Sequence, residues 1–582
     1  MAAITEAWGL QIVNSQCDEQ ELSCEVGERL INRLAWKGDE SGLDGILALV
    51  SSLRIADSER VSLLQKLFRM LAKLGRLDSA YRVSHWIDVF SPNSRIPGSS
   101  RLNAQRACVS LQIGDDEHAK AVLRKTEPSG FESKWLHSRV WSMVGASGDT
   151  LYWSNLSAVN EGLKERGLAP LPPIFGHSSR ECTLDTTVNG TRDGDALVSV
   201  IMPAYNSEET LVDAIHSVLN QDWPNLELIV IDDASSDNTG QLASQLAERD
   251  GRVRVLKNSE NLGAYACRNI ALTVADGQFV TVADSDDYAH PERISRQMLP
   301  LLQHPEVMVT LSYGLPVTID MGVSYQRPVS VLNSSSALFR RKVFDEVGEW
   351  HAVRYSADSE MLDRVRVMYG IQSLVKTSRR DALTVIRSDN HSLTRNRGHG
   401  LESLRRPLGP RFLYRQAYEY SHRAAHPFPR GVEESNKSLL KPLWSPASGR
   451  SDPPDPGCPI DVDVLVLGDL STSGLVGSAF DCMLRRELRQ GRCIGLLHLV
   501  SMSADDVRIS DSIWPLLTEY SDSLFLICDD DSVKCSQLAV VGSDQMSVTW
   551  HELPDVRVVD STGAQVQVLD SSEMSNRVSG KW

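Results

Sequence analysis

Long apolar runs are the first thing this sequence lacks. No stretch approaches the ~18 consecutive apolar residues of a membrane-crossing helix. Residues 1–25 hold acids instead of the basic stretch and apolar core of a secretory leader. Basic charge is short as well. Lys and Arg number 60 against 76 Asp and Glu, a net charge of −16. That balance withholds the basic footprint that a phosphate backbone demands, so no nucleic acid partner is expected. One locally basic stretch, Arg379–Arg430, reads as solvated surface. Cysteine pairs are absent: the ten cysteines are scattered, with no C-x-x-C and no Cys/His ligand spacing. Idle or buried thiols in a reducing cytoplasm are the expectation, and the chain is read as cytoplasmic. What remains is 41% apolar and 23% charged, an ordinary globular balance, in 582 residues. At ~100–200 residues per domain, that length predicts three or four domains.

Residues 1–170 read as helical. Leu64, Leu67, Leu71 and Leu74 recur at helical spacing. An internal echo follows: Leu74-Gly75 precedes Ala80 at the same offset as Ile113-Gly114 precedes Ala119. A small residue there lets two helices of a tight hairpin pack closely. The echo resembles a tetratricopeptide hairpin, although its period is 39 residues (114 − 75) where such repeats have ~34. A module that docks a protein partner and a plain helical domain both fit. Pro170, Pro172 and Pro173 break the helical pattern, and 171–195 reads as a linker. A basic, proline-rich connector is expected at 397–459, and a small α/β domain at 460–582.

Between them, 196–396 alternates strand and helix. Leu197–Met202, Leu226–Ile231, Val253–Leu256 and Phe279–Val282 are apolar runs rich in β-branched residues. Asn206 with Glu209 offers a helix cap before the stripe Leu211, Ala214, Ile215, Val218 and Leu219. Helices are also predicted at Thr239–Arg249 and Ala264–Val274. The fold class is therefore multidomain α and α/β, with a central, mostly parallel sheet covered by helices. Ligands of such sheets bind beyond the carboxyl ends of the strands. Those ends carry Pro203-Ala204-Tyr205-Asn206, then Asp232-Asp233-Ala234-Ser235-Ser236-Asp237-Asn238-Thr239, then Asn261-Leu262-Gly263 with Arg268-Asn269, then Asp284-Ser285-Asp286-Asp287. Acids gathered at one sheet edge repel one another unless a cation joins them. Mg²⁺ or Mn²⁺, held by one or two carboxylates and by substrate phosphates, is the natural partner. Taken singly, each loop reads equally well as caps and turns. An EF-hand is excluded, because the sixth position from Asp232 lacks glycine and the twelfth lacks glutamate. A dinucleotide fold is excluded, because no G-x-G-x-x-G follows the first strand.

Together, in this order and spacing, the four motifs resemble family 2 glycosyltransferases of the GT-A fold, over about 200 of the 582 residues. The resemblance implies inverting transfer from a nucleotide diphosphate sugar to a sugar or glycoconjugate acceptor, in polysaccharide or glycoconjugate synthesis. It implies a donor site of Pro203, Tyr205, Asn206, Asp232 or Asp233, Asn261, Gly263, Arg268, Asp284 and Ser285. It implies a D-x-D motif in which Asp286 contacts the divalent metal, with Asp284, Asp287 and His391 as further candidates. Cys267 stands where the family often has alanine. The family's base opens a later helix within an acidic pair. Here Ala357-Asp358-Ser359-Glu360 carries Asp358 as the base and Glu360 as the reserve, unless both acids only favour a helix N-terminus. Trp350 could stack on an acceptor sugar or fill the core. Acceptors of such enzymes are often lipid-linked, so peripheral contact with the inner face of the membrane is compatible with the reading. Val462–Leu467 and Cys493–Val500 are further strands, and 460–582 resembles half of a Rossmann-like unit, similar to the amino-terminal half of a GT-B glycosyltransferase. The competing reading is a non-catalytic sugar-nucleotide-binding scaffold that docks partners through the helical region. A sugar-nucleotide pyrophosphorylase would need a glycine-rich basic loop where Pro203–Asn206 stands.

Overall fold

The computed structural model describes, with short gaps, residues 43–174, 196–387, 414–420 and 460–541, with two strands at 555–558 and 566–569. Contacts divide the chain into two units, Met1–Ser147 with Gly400–Glu402, and Gly148–His399 with Ser403–Trp582.

The first unit contains α1 (Asp57–Lys73), α2 (Leu77–Phe90), α3 (Ser100–Ile113), α4 (Asp116–Arg124) and α5 (Phe131–Trp141). The 39-residue echo has a backbone counterpart. Arg76 N–H donates to Leu71 O at 3.0 Å, and 39 residues on (115 − 76, 110 − 71) Asp115 N–H donates to Ser110 O at 2.9 Å. Gly114 makes the second turn at φ +89°, a conformation glycine adopts without steric cost. Ala80 and Ala119 are both fully buried, where a larger side chain would push the paired helices apart.

Helix α6 (Gly148–Lys164) belongs to the second unit. The helical region expected to run to 170 is thus divided at 147/148. Its buried face includes Tyr152, Leu156, Val159 and Leu163. Tyr152 Oη donates to Ile174 O at 2.9 Å and accepts from Ile174 N–H at 2.8 Å. Asn155 Nδ2 donates to Asp320 O at 2.9 Å, and Ala169 N–H donates to Glu292 Oε1 at 2.9 Å. The proline-bearing segment that begins the expected linker is therefore laid against the α/β unit by hydrogen bonds on both sides.

The central sheet comprises β1 (Val198–Ala204), β2 (Leu226–Asp232), β3 (Val253–Lys257), β4 (Phe279–Val282), β5 (Tyr288–Ala289), β6 (Val309–Val317), β7 (Val331–Arg340), β8 (Leu374–Lys376) and β9 (Thr384–Arg387). Its order is β3-β2-β1-β4-β7-β6-β9-β5, with β8 beside β6. The helices are α7 (Leu211–Leu219), α8 (Thr239–Arg249), α9 (Ala264–Leu272), α10 (Arg293–Gln303), α11 (Lys342–Val347) and α12 (Ala357–Tyr369). β3, β2, β1 and β4 run parallel, while β7 is antiparallel to both β4 and β6. Both faces are covered. Val198, Val200 and Met202 join one apolar core, and Ile201, Ile229 and Ile231 join another. That double burial is why β1 and β2 read as continuous apolar runs. Ala204 pairs with Asp232 and Ile201 with Val282, so the loops after β1, β2 and β4 leave the sheet at one edge.

A helix at 414–420, α13, lies within the expected connector. Tyr414 and Tyr418 pack into the core containing Met361 and Val365, whereas Ala417 packs with Phe480 and Trp514 of the carboxyl-terminal layer. Gln416 Oε1 accepts from Ile509 N–H at 2.8 Å. That layer holds β10 (Ile460–Gly468), α14 (Ser478–Arg489), β11 (Ile494–His498), α15 (Ile513–Glu519), β12 (Leu524–Leu526), β13 (Ser532–Val541), β14 (Asp555–Val558) and β15 (Val566–Leu569). Its strands are parallel in the order β12-β11-β10-β13-β14, with β15 beside β13. This is a six-stranded parallel sheet, larger than the half unit expected from the sequence, with α14 and α15 packed on one of its faces. No helix among the described residues is long and apolar enough to cross a membrane.

Candidate active site

The four loops are fastened to one another side chain by side chain. Asn206 Oδ1 accepts from Ser236 N–H at 2.9 Å, and Asn206 N–H donates to Ser235 Oγ at 3.0 Å, joining the loops after β1 and β2. Ser207 N–H donates to Thr239 Oγ1 at 2.7 Å, and Ser207 Oγ lies 2.8 Å from Ser285 Oγ, joining the loops after β1 and β4. Asp233 fixes the third loop. Its Oδ1 accepts from Asn258 Nδ2 at 2.8 Å and Leu262 N–H at 2.9 Å, and its Oδ2 from Gly263 N–H at 2.8 Å. Asn261 Nδ2 reaches Asp233 O at 3.4 Å. Asp232 closes its own turn, Oδ1 accepting from Ser235 N–H at 3.0 Å. Its buried Oδ2 has no hydrogen-bond partner, and a Cβ on Gly240 would stand 2.4 Å from it. The two acids therefore do different work: Asp233 ties down the neighbouring loop, and Asp232 faces the first turn of α8. Pro203 lies near the end of β1, and Tyr205 is half exposed at the same edge.

Backbone strain gathers here. Asn206, Ala234 and Ser356, three of the four non-glycine residues with positive φ among those described, stand in the loops after β1 and β2 and just before Asp358. Such conformations persist only where surrounding structure over-determines them, and they concentrate at functional sites. Asp237 is held below the usual carboxylate range: burial opposes ionisation, but hydrogen bonds from Thr239 and from Glu208 N–H outweigh it.

Two arginines meet the acids of the fourth loop. Arg268 Nη2 donates to Asp284 Oδ1 at 3.2 Å, and its guanidinium lies 4.7 Å from the Tyr265 ring centroid. Arg293, fully buried, donates from Nη1 to Val282 O at 2.9 Å, and its Nε and Nη2 have no hydrogen-bond partner. Burial pushes its pKa down to about 10, against the pull of Asp284 and Asp287, so it remains a cation at neutral pH. Arg293 carries no sequence signal; it reads as one more residue in a helical first turn. Its burial beneath the acidic turn appears only in the fold. Charge compensation at this turn, expected from the sequence to come from a metal, is supplied in part by the protein itself. Asp287 Oδ1 accepts from Arg387 N–H at 3.2 Å, and Asp286 is half-buried.

Among the described residues, the one group of three ligand atoms within 4.8 Å of one another is His85, Asp115 and His118, far along the chain from this turn. Asp284, Asp286 and Asp287 form no such cage. They fit instead the mode in which Mg²⁺ or Mn²⁺ takes one or two carboxylate oxygens and completes its shell from phosphates and water. His391 lies outside the described residues.

At the start of α12, Asp358 and Glu360 part company. Asp358, half-buried, accepts from Tyr265 Oη at 3.0 Å through Oδ1. Glu360 is 0% exposed and pairs with Arg364, whose Nε lies 2.8 Å from Oε1. A carboxylate with no accessible surface cannot meet an acceptor hydroxyl, so Glu360 is withdrawn as a reserve base. Trp350 is core, tilted against Phe344 and edge-on to Phe339 at centroid distances of 4.8 and 5.8 Å. Asn269 clamps the Trp350 backbone, donating to its O at 2.7 Å and accepting from its N–H at 3.1 Å.

The sequence profile of glycosyl transferase family 2 matches residues 199–348. Over 119 residues, the chain is 41% identical to the putative teichuronic acid biosynthesis glycosyltransferase TuaG of Bacillus subtilis, covering 20% of this chain and 47% of that one. Over 120 residues it is 42% identical to the UDP-Glc:alpha-D-GlcNAc-diphosphoundecaprenol beta-1,3-glucosyltransferase WfgD of Escherichia coli, covering 21% and 46%. The chain thus spans about half the length of these curated relatives. The S. aureus TarS 1–349 structure in complex with UDP-GlcNAc aligns over 42% of this chain and 70% of that one, at 20% identity and a TM-score of 0.32. The match to the family 2 glycosyltransferase profile thus covers residues 199–348, the stretch that folds into β1 to β7 and carries all four strand-end loops.

Proposed function

We propose that this chain transfers a sugar from a nucleotide diphosphate donor to a hydroxyl acceptor with inversion, in polysaccharide or glycoconjugate assembly. The observation that carries the reading is the shared cleft edge. Loops after β1, β2, β3 and β4 are cross-linked there, and the acids of Asp284–Asp287 stand above two arginines. Asp358 approaches from a different helix, tied to the same α9 that bears Arg268.

In this reading Pro203, Tyr205, Asn206, Asp232 or Asp233, Asn261 and Gly263 bound the nucleoside. Arg268, Asp284 and Ser285 stand by the diphosphate. Asp286, with Asp284 or Asp287, would hold Mn²⁺ or Mg²⁺, which when bound offsets charge on the departing diphosphate. Asp358 takes the acceptor hydroxyl proton as that oxygen bonds to the anomeric carbon. The bond from that carbon to the β-phosphate oxygen breaks on the opposite face, and the nucleoside diphosphate leaves with the electron pair. A carboxylate placed on the acceptor side favours an enzyme over a binding scaffold, which needs none.

WfgD is by its name a glucosyltransferase acting on alpha-D-GlcNAc-diphosphoundecaprenol. A lipid-linked acceptor and peripheral contact with the inner membrane face are the corresponding proposals here, with the helical first unit docking a protein partner. The deciding experiment measures nucleoside diphosphate release from UDP- and GDP-sugars with Mn²⁺, Mg²⁺ or excess EDTA. Release from one donor, lost in EDTA and in Asp286→Ala, supports the reading. Metal-independent release, or tight donor binding without turnover in the presence of acceptor lipid extract, overturns it.

A further inference from the structure

The acid proposed as base is not left to find its own orientation. Tyr265 is 8% exposed and packs in the core beside Ala357 and Met361 of α12. Its hydroxyl donates to Asp358 Oδ1 at 3.0 Å. Burial drives its pKa far above the ordinary phenol value, with the Asp358 charge pushing the same way, so the hydroxyl stays protonated and remains a donor. The ring is held in turn by the Arg268 guanidinium at 4.7 Å, and Arg268 donates to Asp284. Tyr265 and Arg268 sit three residues apart on α9, one turn of the same face. Asp233 fastens the start of that helix through Gly263 N–H. A nine-residue helix therefore contacts the nucleoside-side acid at its start, the base in its first turn and the D-x-D loop in its second.

We infer that Tyr265 is a positioning residue for Asp358: its hydroxyl occupies Oδ1 and leaves Oδ2 to take the proton of the acceptor. This rests on Asp358 being the base. Arg268 on the Tyr265 ring makes the orientation of Asp358 answer to the loop that holds the donor.

The test compares wild type, Tyr265→Phe, Asp358→Asn and the double variant. Turnover is nucleoside diphosphate release from UDP-glucose, UDP-GlcNAc and GDP-mannose at saturating donor, and affinity is measured with UDP and GDP alone. Tyr265→Phe should lower kcat about 10- to 100-fold, the scale expected when a reacting group loses its alignment. Nucleotide affinity should stay within about 2-fold, since the lost hydroxyl bonds Asp358 and not a group assigned to the donor. Added to Asp358→Asn, it should cost nothing further. Full turnover in Tyr265→Phe with a dead Asp358→Asn overturns the inference and leaves the base standing. Multiplying losses show that Tyr265 acts apart from Asp358 and also overturn it. An active Asp358→Asn overturns the base assignment and the inference together. A crystal structure of Tyr265→Phe decides independently of donor choice: Asp358 in an altered rotamer supports the inference, and Asp358 unmoved refutes it.

Discussion

Replacing Glu360 by Gln should damage stability and spare chemistry, the reverse of what its place beside Asp358 suggests. Glu360 is fully buried, and Arg364 is 5% exposed. Arg364 also donates to Val347 O at 3.1 Å and Glu349 O at 2.7 Å, so the pair holds the end of α11 and the turn after it against α12. Breaking a buried pair by removing one charge costs about 3–5 kcal/mol, because the survivor stays desolvated. Gln keeps an oxygen able to accept from Arg364, which places the loss near ~3 kcal/mol. For a unit of more than 400 residues each kcal/mol lowers Tm by only about 1 °C, giving a drop of about 3 °C. Differential scanning calorimetry reads this directly. The double variant Glu360→Met/Arg364→Met removes both charges for similar volume and should recover most of the loss. A Glu360→Gln protein that melts with wild type yet fails to turn over would refute the reasoning, since the buried acid would then be acting on substrate.

Four further outcomes follow from the same geometry. Asp358→Asn should lower kcat by ~10²–10⁴-fold with Tm and donor affinity nearly unchanged, measured by steady-state kinetics and calorimetry; an unaffected kcat refutes it. Asp286→Ala should abolish metal-dependent turnover while circular dichroism stays native, because the side chain is no part of the core. Asp233→Asn must set an amide N–H against Leu262 or Gly263 N–H, so donor affinity should fall by about 1.5–3 kcal/mol, and unchanged titration calorimetry would count against it. Gly240→Ala places a methyl 2.4 Å from Asp232 Oδ2; since that oxygen belongs to a buried strand end, the melt should move down and the β2–α8 turn should shift in a crystal structure.

Much of the α/β architecture was legible because its signals are local. Apolar runs marked β1 to β4, and the side-chain hydrogen bonds of their loops explain why Asp, Asn, Ser and Thr crowd there. What stayed hidden depends on distant partners. β6 to β9 lack the strand–helix rhythm, and their mixed pairing, antiparallel between β6 and β7 but parallel from β6 to β8 and β9, is set by tertiary contacts. Glu360 and Asp358 look alike in a helical first turn; only the position of Arg364 against the α11 carbonyls separates them. The helix at 414–420 was masked by prolines and basic residues on either side, though Tyr414 and Tyr418 already had the spacing of one buried face. The boundary after residue 147 had no proline to announce it, since the prolines at 170–173 sit within a segment bonded to the α/β unit.

The acidic turn after β4 also changes how the proposed metal should be regarded. Carboxylates gathered at one turn repel one another, and a site that relied wholly on a cation from solvent would be strained whenever the cation left. Here Arg268 contacts Asp284 directly, and Arg293 lies buried under Asp284 and Asp287 with two of its nitrogens, Nε and Nη2, without a hydrogen-bond partner. Both arginines are anchored, one against Tyr265 and the other to Val282 O. The turn is thus held in shape by fixed positive charge before any ligand arrives, which in the proposed reaction would lower the reorganisation needed as charge develops on the leaving diphosphate. It follows that removing metal should cost turnover without unfolding the cleft, whereas removing Arg293 should cost both. That contrast separates a cation serving the reaction from one serving the fold.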